Sequence, residues 1–231
     1  RILVTGITGL VGQQIRKLCK AMEIQVHYLT TREDQLEDKE GYVGFYWDPS
    51  KGHIDHRCFY GVEAIVHLAG ANVAKTWTKS YKQEIINSRV DSTRLLIDTL
   101  KNEQHSVQQV VSASAIGLYG SSLTKLHKED SDQLADDFLG DVVKKWEDAV
   151  DGFKQFSIPV CKLRIGVVLS KHGGALDKLV KPINSNIGAP LGSGKQWQSW
   201  IHIKDLAGMF LFAVEEDLDG VYNAVAPNPV T

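Results

Sequence analysis

The chain has 231 residues, 43% of them hydrophobic, and a formal net charge of −2. That length suits one large domain, or one domain with a small second lobe, and the hydrophobic share predicts a packed core rather than disorder. The near-neutral charge argues against a basic face for nucleic acid or a membrane surface, and no apolar run approaches the ~18 residues of a membrane helix.

In chain order, short apolar runs alternate with runs of helical period. Ile2–Thr5 predicts a buried strand, and residues 10–22 a helix with Leu10, Ile15, Leu18 and Met22 on one side. Residues 25–30 and 42–47 predict two further strands, the latter closed by the turn residues Asp48, Pro49, Ser50, Lys51 and Gly52. AIVHL, residues 64–68, is a fourth strand. Residues 79–101 are a long helix carrying Ile85, Ile86, Leu95, Leu96 and Leu100. Residues 109–112 are the fifth strand, and a helix over 139–156 leads into a sixth at 160–168. Strands separated by helices predict an α/β fold, a Rossmann-like doubly wound parallel sheet. Continuous apolar strands suit a sheet covered on both faces.

Residues 170–200 differ. Five glycines (Gly173, Gly174, Gly188, Gly192, Gly194) with Pro182 and Pro190 predict an excursion from the sheet into a small substrate-facing lobe. The expected organisation is a nucleotide-binding domain over 1–169, the lobe excursion over 170–200, and a return to the sheet over 201–231. The ending YNAVAPNPVT stops straight after an apparent strand, so the C-terminal lobe is expected to be incomplete, with more chain beyond Thr231. The opening RILVTG is already a strand and shows no signal peptide. Cys19, Cys58 and Cys161 match no metal or redox spacing and are expected as buried thiols of a reducing, cytoplasmic compartment.

VTGITGLVG, residues 4–12, carries the strongest chemical signal. Gly6, Gly9 and Gly12 fall between a strand and a helix, where glycine permits a tight turn and close backbone approach to a pyrophosphate. The helix N-terminus then offers free N–H groups and the positive end of its dipole. Three glycines alone are a weak signal; the flanking strand and helix supply the required context. At the end of the second strand, an acid would bind a ribose 2′-hydroxyl and favour NAD. Thr30, Thr31 and Arg32 stand there instead. An arginine pairs with a 2′-phosphate, which favours NADP(H) with NAD as the lesser option. The competing reading is a solvated arginine beside Glu33 and Asp34.

Three more stretches complete a resemblance. GVEAIVHLAG (61–70), SASAIGLYG (112–120) and WIHIKDLA (200–207), together with TGITGLVG, resemble in order the motifs of the extended short-chain dehydrogenases/reductases of the NAD(P)-dependent epimerase/dehydratase superfamily. KTWTKSYKQEIINSRVDSTRLL (75–96), KWED (145–148) and GSGKQWQSWIHIKD (192–205) resemble its "epimerase family protein" subgroup, described by similarity as sugar-nucleotide epimerase-like and sometimes as a cell-division inhibitor. The resemblance implies an oxidoreductase or epimerase working by hydride transfer on a small polar, nucleotide-sugar-like substrate. It implies that Gly6, Thr8, Gly9, Leu10, Val11 and Gly12 cradle the pyrophosphate and that Thr31 and Arg32 meet the adenosine ribose. Leu68, Ala69 and Gly70 would pass along the cofactor by backbone contact, and Arg164 and Gly166 would lie near the nicotinamide. Ser114 is the implied partner of a substrate oxygen, although Ala115 holds the strict spacing before Tyr119 and Gly120. His202 and Asp205 belong to the late motif. A homodimer through 79–101 and 139–156 is a further implication.

The family's Tyr-x-x-x-Lys is missing. Counted back from Glu147, its places hold Leu139 and Val143, and Lys144 is one residue, roughly 100°, around the helix from the lysine slot. Tyr119, in the YG turn, is a candidate proton donor, though it reads better as packing against the cofactor or substrate side. Asp141 reads better as a helix-start carboxylate, Lys144 and Lys145 as an exposed pair, and His67 as a satisfied strand-end histidine. Trp77, Trp197 and Trp200 are candidates to line a substrate pocket, though tryptophan packs in cores more often. Lys195 and Gln196 are weak candidates for an anionic group of the substrate. Two readings follow: an NADP(H)-dependent oxidoreductase or epimerase, or an NADP(H)-binding sensor that has lost catalysis. No metal site is expected, and nothing in the residues supports a role in cell division.

Overall fold

A strand with no polar face needs cover on both sides, and β1 (Ile2–Thr5) is buried along its whole length. The computed structural model, which describes residues 1–190 and 192–231, runs on through α1 (Leu10–Ala21), β2 (Val26–Thr30), β3 (Asp38–Lys39), β4 (Tyr42–Asp48), β5 (His53–Ile54) and β6 (Ala64–His67). It continues with α2 (Lys79–Asn102), β7 (Gln109–Ala115), α3 (Phe138–Val150), β8 (Val160–Ile165) and β9 (Val167–Leu169). The chain then forms α4 (Ala175–Asn184), β10 (Trp200–His202), α5 (Ile203–Glu215) and β11 (Gly220–Ala224).

Among the described residues, the main sheet has the order β11-β8-β7-β6-β1-β2-β4-β3, with β5 paired to β4. Every pair from β11 to β4 is parallel; only β3 and β5 pair antiparallel. The order reverses at β1, with β2 on one side and β6 on the other. Right-handed crossovers then put α1 and α2 on opposite faces, and leave a crevice at the carboxyl ends of β1, β2 and β6. α1 packs on α5, and α2 on α3. The expected Rossmann-like doubly wound sheet is therefore the observed one. No helix among the described residues is long and apolar enough to cross a membrane.

The expected strand over 160–168 breaks at Gly166. A Cβ there would lie 2.5 Å from the Ser199 carbonyl oxygen, so only glycine lets the returning chain approach. β8 stays in the main sheet, while β9 leaves it to pair with β10. The expected helix over 139–156 stops at Val150 and tightens into a 3₁₀ segment, Asp151–Phe156, ended by Ser157 at φ 55°. α4 lies inside the glycine-rich stretch, with Pro182 in its last turn. Cys19, Cys58 and Cys161 are free and buried, and burial pushes the Cys19 thiol up to about 11 and Cys161 to about 12.

One buried relay joins the sheet to α2. Thr5 Oγ1 accepts from the Leu68 and Ala69 amides, both at 3.0 Å, so its own proton points to His67 Nδ1 at 2.9 Å. His67 is therefore the Nε2–H tautomer and donates to Thr93 Oγ1 at 3.0 Å, which donates to the Arg89 carbonyl at 2.7 Å. His67 is the satisfied histidine the sequence suggested, not a base.

Burial, helped by the Arg89 charge, lowers the His67 pKa to about 4 from 6.5. The unfolded chain takes up this proton first, so the stabilisation is full above pH 6.5 and is lost as pH falls toward 4. The size is roughly 3 kcal/mol at about 1.4 kcal/mol per unit. Thermal melts across that range should show this slope in the wild type and lose it in His67→Gln.

Candidate nucleotide-binding cleft

The loop between β1 and α1 is shaped by what its glycines lack. Gly6 has φ 67°, a conformation side chains resist, and a Cβ there would lie 2.9 Å from the Leu68 carbonyl oxygen. A Cβ at Gly12 would lie 2.4 Å from the Gly6 oxygen and 2.5 Å from Ile7 Cα. Gly9 is the N-cap of α1, with no side chain closing the cap and no acid in the first turn. The Leu10, Val11 and Gly12 amides are thus left for an outside acceptor, which is what an anion needs at a helix N-terminus. The residues present fit a pyrophosphate.

A cleft of about 750 Å³ opens from this loop. Gly6 and Thr8 form its inner end, Thr30, Thr31 and Arg32 one rim, and Ala69, Gly70 and Ala71 another. Trp47, Asp48, Pro49 and Ser50 close the far wall, and Asn87, Ser88 and Asp91 of α2 the side. Arg32 is exposed and gripped by Asp34, with Nε–Oδ1 at 3.2 Å and Nη2–Oδ2 at 2.8 Å. Both readings of Arg32 therefore meet in one place, since it rims the cleft and carries a solvated acidic partner. In the sequence, Trp47 reads as the end of a strand and 48–50 as part of the turn that closes it. The place of 47–50 in the cleft follows from β4 pairing beside β2, a long-range fact.

Ser114, Tyr119 and Arg164 lie together elsewhere. Ser114 is buried and donates to Glu147 Oε1 at 2.5 Å. Arg164 forks onto the same carboxylate, Nε–Oε1 and Nη2–Oε2 both at 2.9 Å. Its Nη1 donates to the Tyr119 hydroxyl at 2.8 Å and the Glu129 carbonyl at 3.0 Å. Tyr119 donates to Asn223 Oδ1 at 2.7 Å and stacks on His127 at 5.3 Å. Ser114 and Arg164 are thus committed to an internal network, which the half-buried Tyr119 extends to Asn223. Gly166, expected near the nicotinamide, is at the β8–β9 break described above.

α3 begins at Asp137, which caps the Gly140 amide at 2.9 Å. Leu139 sits 3.8 Å from where a Gly117 Cβ would be, so it faces the turn after β7, and Val143 is buried one turn on. Asp141, Lys144 and Lys145 are exposed and point away. Trp77 donates to the Val73 carbonyl, Trp197 to the Leu123 carbonyl and Trp200 to the Asn228 carbonyl, at 2.8, 2.9 and 3.0 Å. None of the three lines the cleft. Among the described residues no group of three metal-ligating side chains is present.

Burial works against the Glu147 carboxylate, but hydrogen bonds from Arg164 and Ser114 and the Arg164 and Lys162 charges outweigh it and hold its pKa below the ordinary 4.5. Its stabilisation is present above that value and is lost as pH falls through the lowered one. Glu147→Gln leaves Arg164 buried without its charge partner, so denaturant unfolding at neutral pH should show a loss of about 3–5 kcal/mol. That deficit should shrink at acid pH.

The model of the NAD dependent epimerase/dehydratase family matches residues 2–224. An epimerase family protein of Staphylococcus haemolyticus is 37% identical over 98% of this chain and 75% of its own length, and one of Staphylococcus aureus is 36% identical over the same shares. The crystal structure of human epimerase family protein SDR39U1 with NADPH superposes at TM-score 0.82, with 31% identity, over all of this chain and 76% of the human one. UDP-glucuronic acid 4-epimerase of Bacillus cereus, at 20% identity and TM-score 0.80 over 99% of this chain and 78% of its own, shares the fold. With its glycine loop, its switch-point cleft and a family match over nearly its whole length, the chain belongs to the NAD dependent epimerase/dehydratase family.

Proposed function

We propose that the chain binds NADP(H) and acts as an oxidoreductase or epimerase-like enzyme on a small polar substrate of the nucleotide-sugar kind. One observation carries the reading: the glycine loop opens into a cleft whose rim holds Thr31 and Arg32 where NAD recognition would place an acid. The NADPH in the human relative supports the same choice. Gly6, Gly9 and the first amides of α1 hold the pyrophosphate, and the loop over 68–70 supports the cofactor from the other side. Bound nicotinamide would supply or accept a hydride. Tyr119 is the group on this chain best placed to carry the accompanying proton, since its hydroxyl both accepts from Arg164 and donates to Asn223 and so already stands in a proton-carrying chain. Ser114 holds Glu147, and through it Arg164, in place for this role.

The segment over 170–200, with α4, is proposed as the substrate-facing lobe. Homodimer formation through the groove of α2 and α3, lined by Asp91, Arg94, Asp98, Lys101, Lys145 and Asp148, belongs to the same proposal. One observation favours a second reading, an NADP(H)-binding sensor without turnover: α3 carries Leu139 and Val143 in place of the tyrosine and lysine.

Titration followed by tryptophan fluorescence, with Trp47 in the cleft wall as reporter, should show NADPH binding more tightly than NADH. Arg32→Ala should weaken NADPH about tenfold, or about 1.4 kcal/mol, and leave NADH unchanged. Equal affinities in the wild type would remove the assignment. Turnover on a nucleotide-sugar panel, lost in Tyr119→Phe, separates enzyme from sensor.

A further inference from the structure

α2 buries a stripe of residues against the sheet: Ile85, Ser92, Thr93 and Leu96. Arg89 falls on the same stripe, four residues after Ile85, and is partly buried. Its guanidinium lies over the Trp146 ring, 5.0 Å from the centroid, and against Gly70, where a Cβ would come within 2.9 Å of Cζ. Nη1 donates to the Ala71 and Ile85 carbonyls at 3.2 and 3.0 Å. Among the described residues, no carboxylate pairs with Arg89, and Nε and Nη2 have no protein acceptor. Burial lowers its pKa to about 10, with Tyr81 opposing.

A charge in this position is costly unless something accepts from it. Packing alone would be served by an apolar chain of the same length. Arg164, whose side chain is buried, is by contrast matched by Glu147. The Arg89 guanidinium instead sits between Gly70 of the loop after β6 and Trp146 of α3, next to the Gly70–Ala71 rim of the cleft. Trp146, beneath it, is three residues beyond Val143, the slot where the family pattern has lysine.

The direction of a bound dinucleotide identifies what meets that rim. Its pyrophosphate is held at the end of β1. The adenosine half takes the β2 side, where Thr31, Arg32, Trp47 and Asp48 form the cleft. The other half must then cross to the β6 side, over Gly70. A guanidinium only donates, and ribose hydroxyls accept. We infer that Arg89 is the cationic contact of the nicotinamide-side ribose, supplied from α2 in place of the lysine absent from α3. This rests on the NADP(H) reading above. It explains why residue 70 is glycine, since any side chain would displace the guanidinium.

The test compares two probes on wild type, Arg89→Met and Arg89→Lys: NADPH, and adenosine 2′,5′-bisphosphate, which has no nicotinamide-side ribose. Arg89→Met should weaken NADPH at least tenfold with bisphosphate affinity unchanged, and Arg89→Lys should recover part of the loss. Equal weakening of both probes, with or without a lower melting temperature, would mean that Arg89 only shapes the 69–71 loop, and would overturn the assignment. So would unchanged binding of both. Wild-type protein that binds NADPH while Arg89→Met binds it equally well leaves the cofactor reading standing alone; wild-type protein that binds neither probe brings down that reading and this assignment with it.

Discussion

The Thr5 hydroxyl is the joint on which the rest of the structure depends. Its oxygen takes two backbone N–H groups from the loop after β6, and its proton closes onto His67. That fixes the end of β1 against the end of β6 at the place where the strand order reverses. The glycine loop then has to pass within van der Waals contact of Leu68, and only Gly6 at positive φ can do so. The same relay runs through Thr93 to the backbone of Arg89, so α2 is held at a fixed height over the sheet. A buried, fully satisfied polar chain of this kind costs little when complete and a great deal when one member is lost. The open cleft owes its shape to it.

Two regions of opposite character meet at the carboxyl ends of the strands. On the β1–β2 side the backbone is bare and its amides are unclaimed, which suits an anionic ligand. On the β7–β8 side one polar network is closed on itself, although the ring nitrogens of His127, stacked on Tyr119, are buried without a partner. Ser114, Glu147, Arg164, Tyr119 and Asn223 form one connected set. A family helix that usually brings a tyrosine and lysine to this junction brings Leu139 and Val143 instead, while Tyr119 comes from the turn after β7 and Arg89 from α2. At this junction α3 contributes Glu147 as an anchor for Ser114 and Arg164 rather than a tyrosine and lysine.

Much was legible along the chain. The glycine loop and the alternation of strands and helices were enough for the fold and for an NAD(P)-type cofactor. His67 was rightly weighed as a core residue, because an apolar strand leaves no room for an exposed base. Ser114 was less readable. Its motif suggests a substrate partner, but its hydroxyl meets Glu147, which lies 33 residues on. Arg89 gave one faint signal, a charge on the buried stripe of a helix, and it went unweighed because helical period alone does not say what stands opposite. The 48–50 part of the cleft wall looked like an ordinary turn for the same reason.

Local covalent chemistry and period belong to the sequence: where glycine is needed, which runs are strands, which helix starts with a free N-terminus, and which catalytic pair is missing. These depend on neighbours within a few residues, so they survive without coordinates. The tertiary structure alone decided which polar groups are used up by one another and which remain open. Glu147 captures Arg164 and Ser114 across three elements, while Arg89, with similar chemistry, meets carbonyls and an indole but no carboxylate among the described residues. That difference comes from strand order and helix packing, which bring together residues far apart in the chain and set the dielectric around each charge.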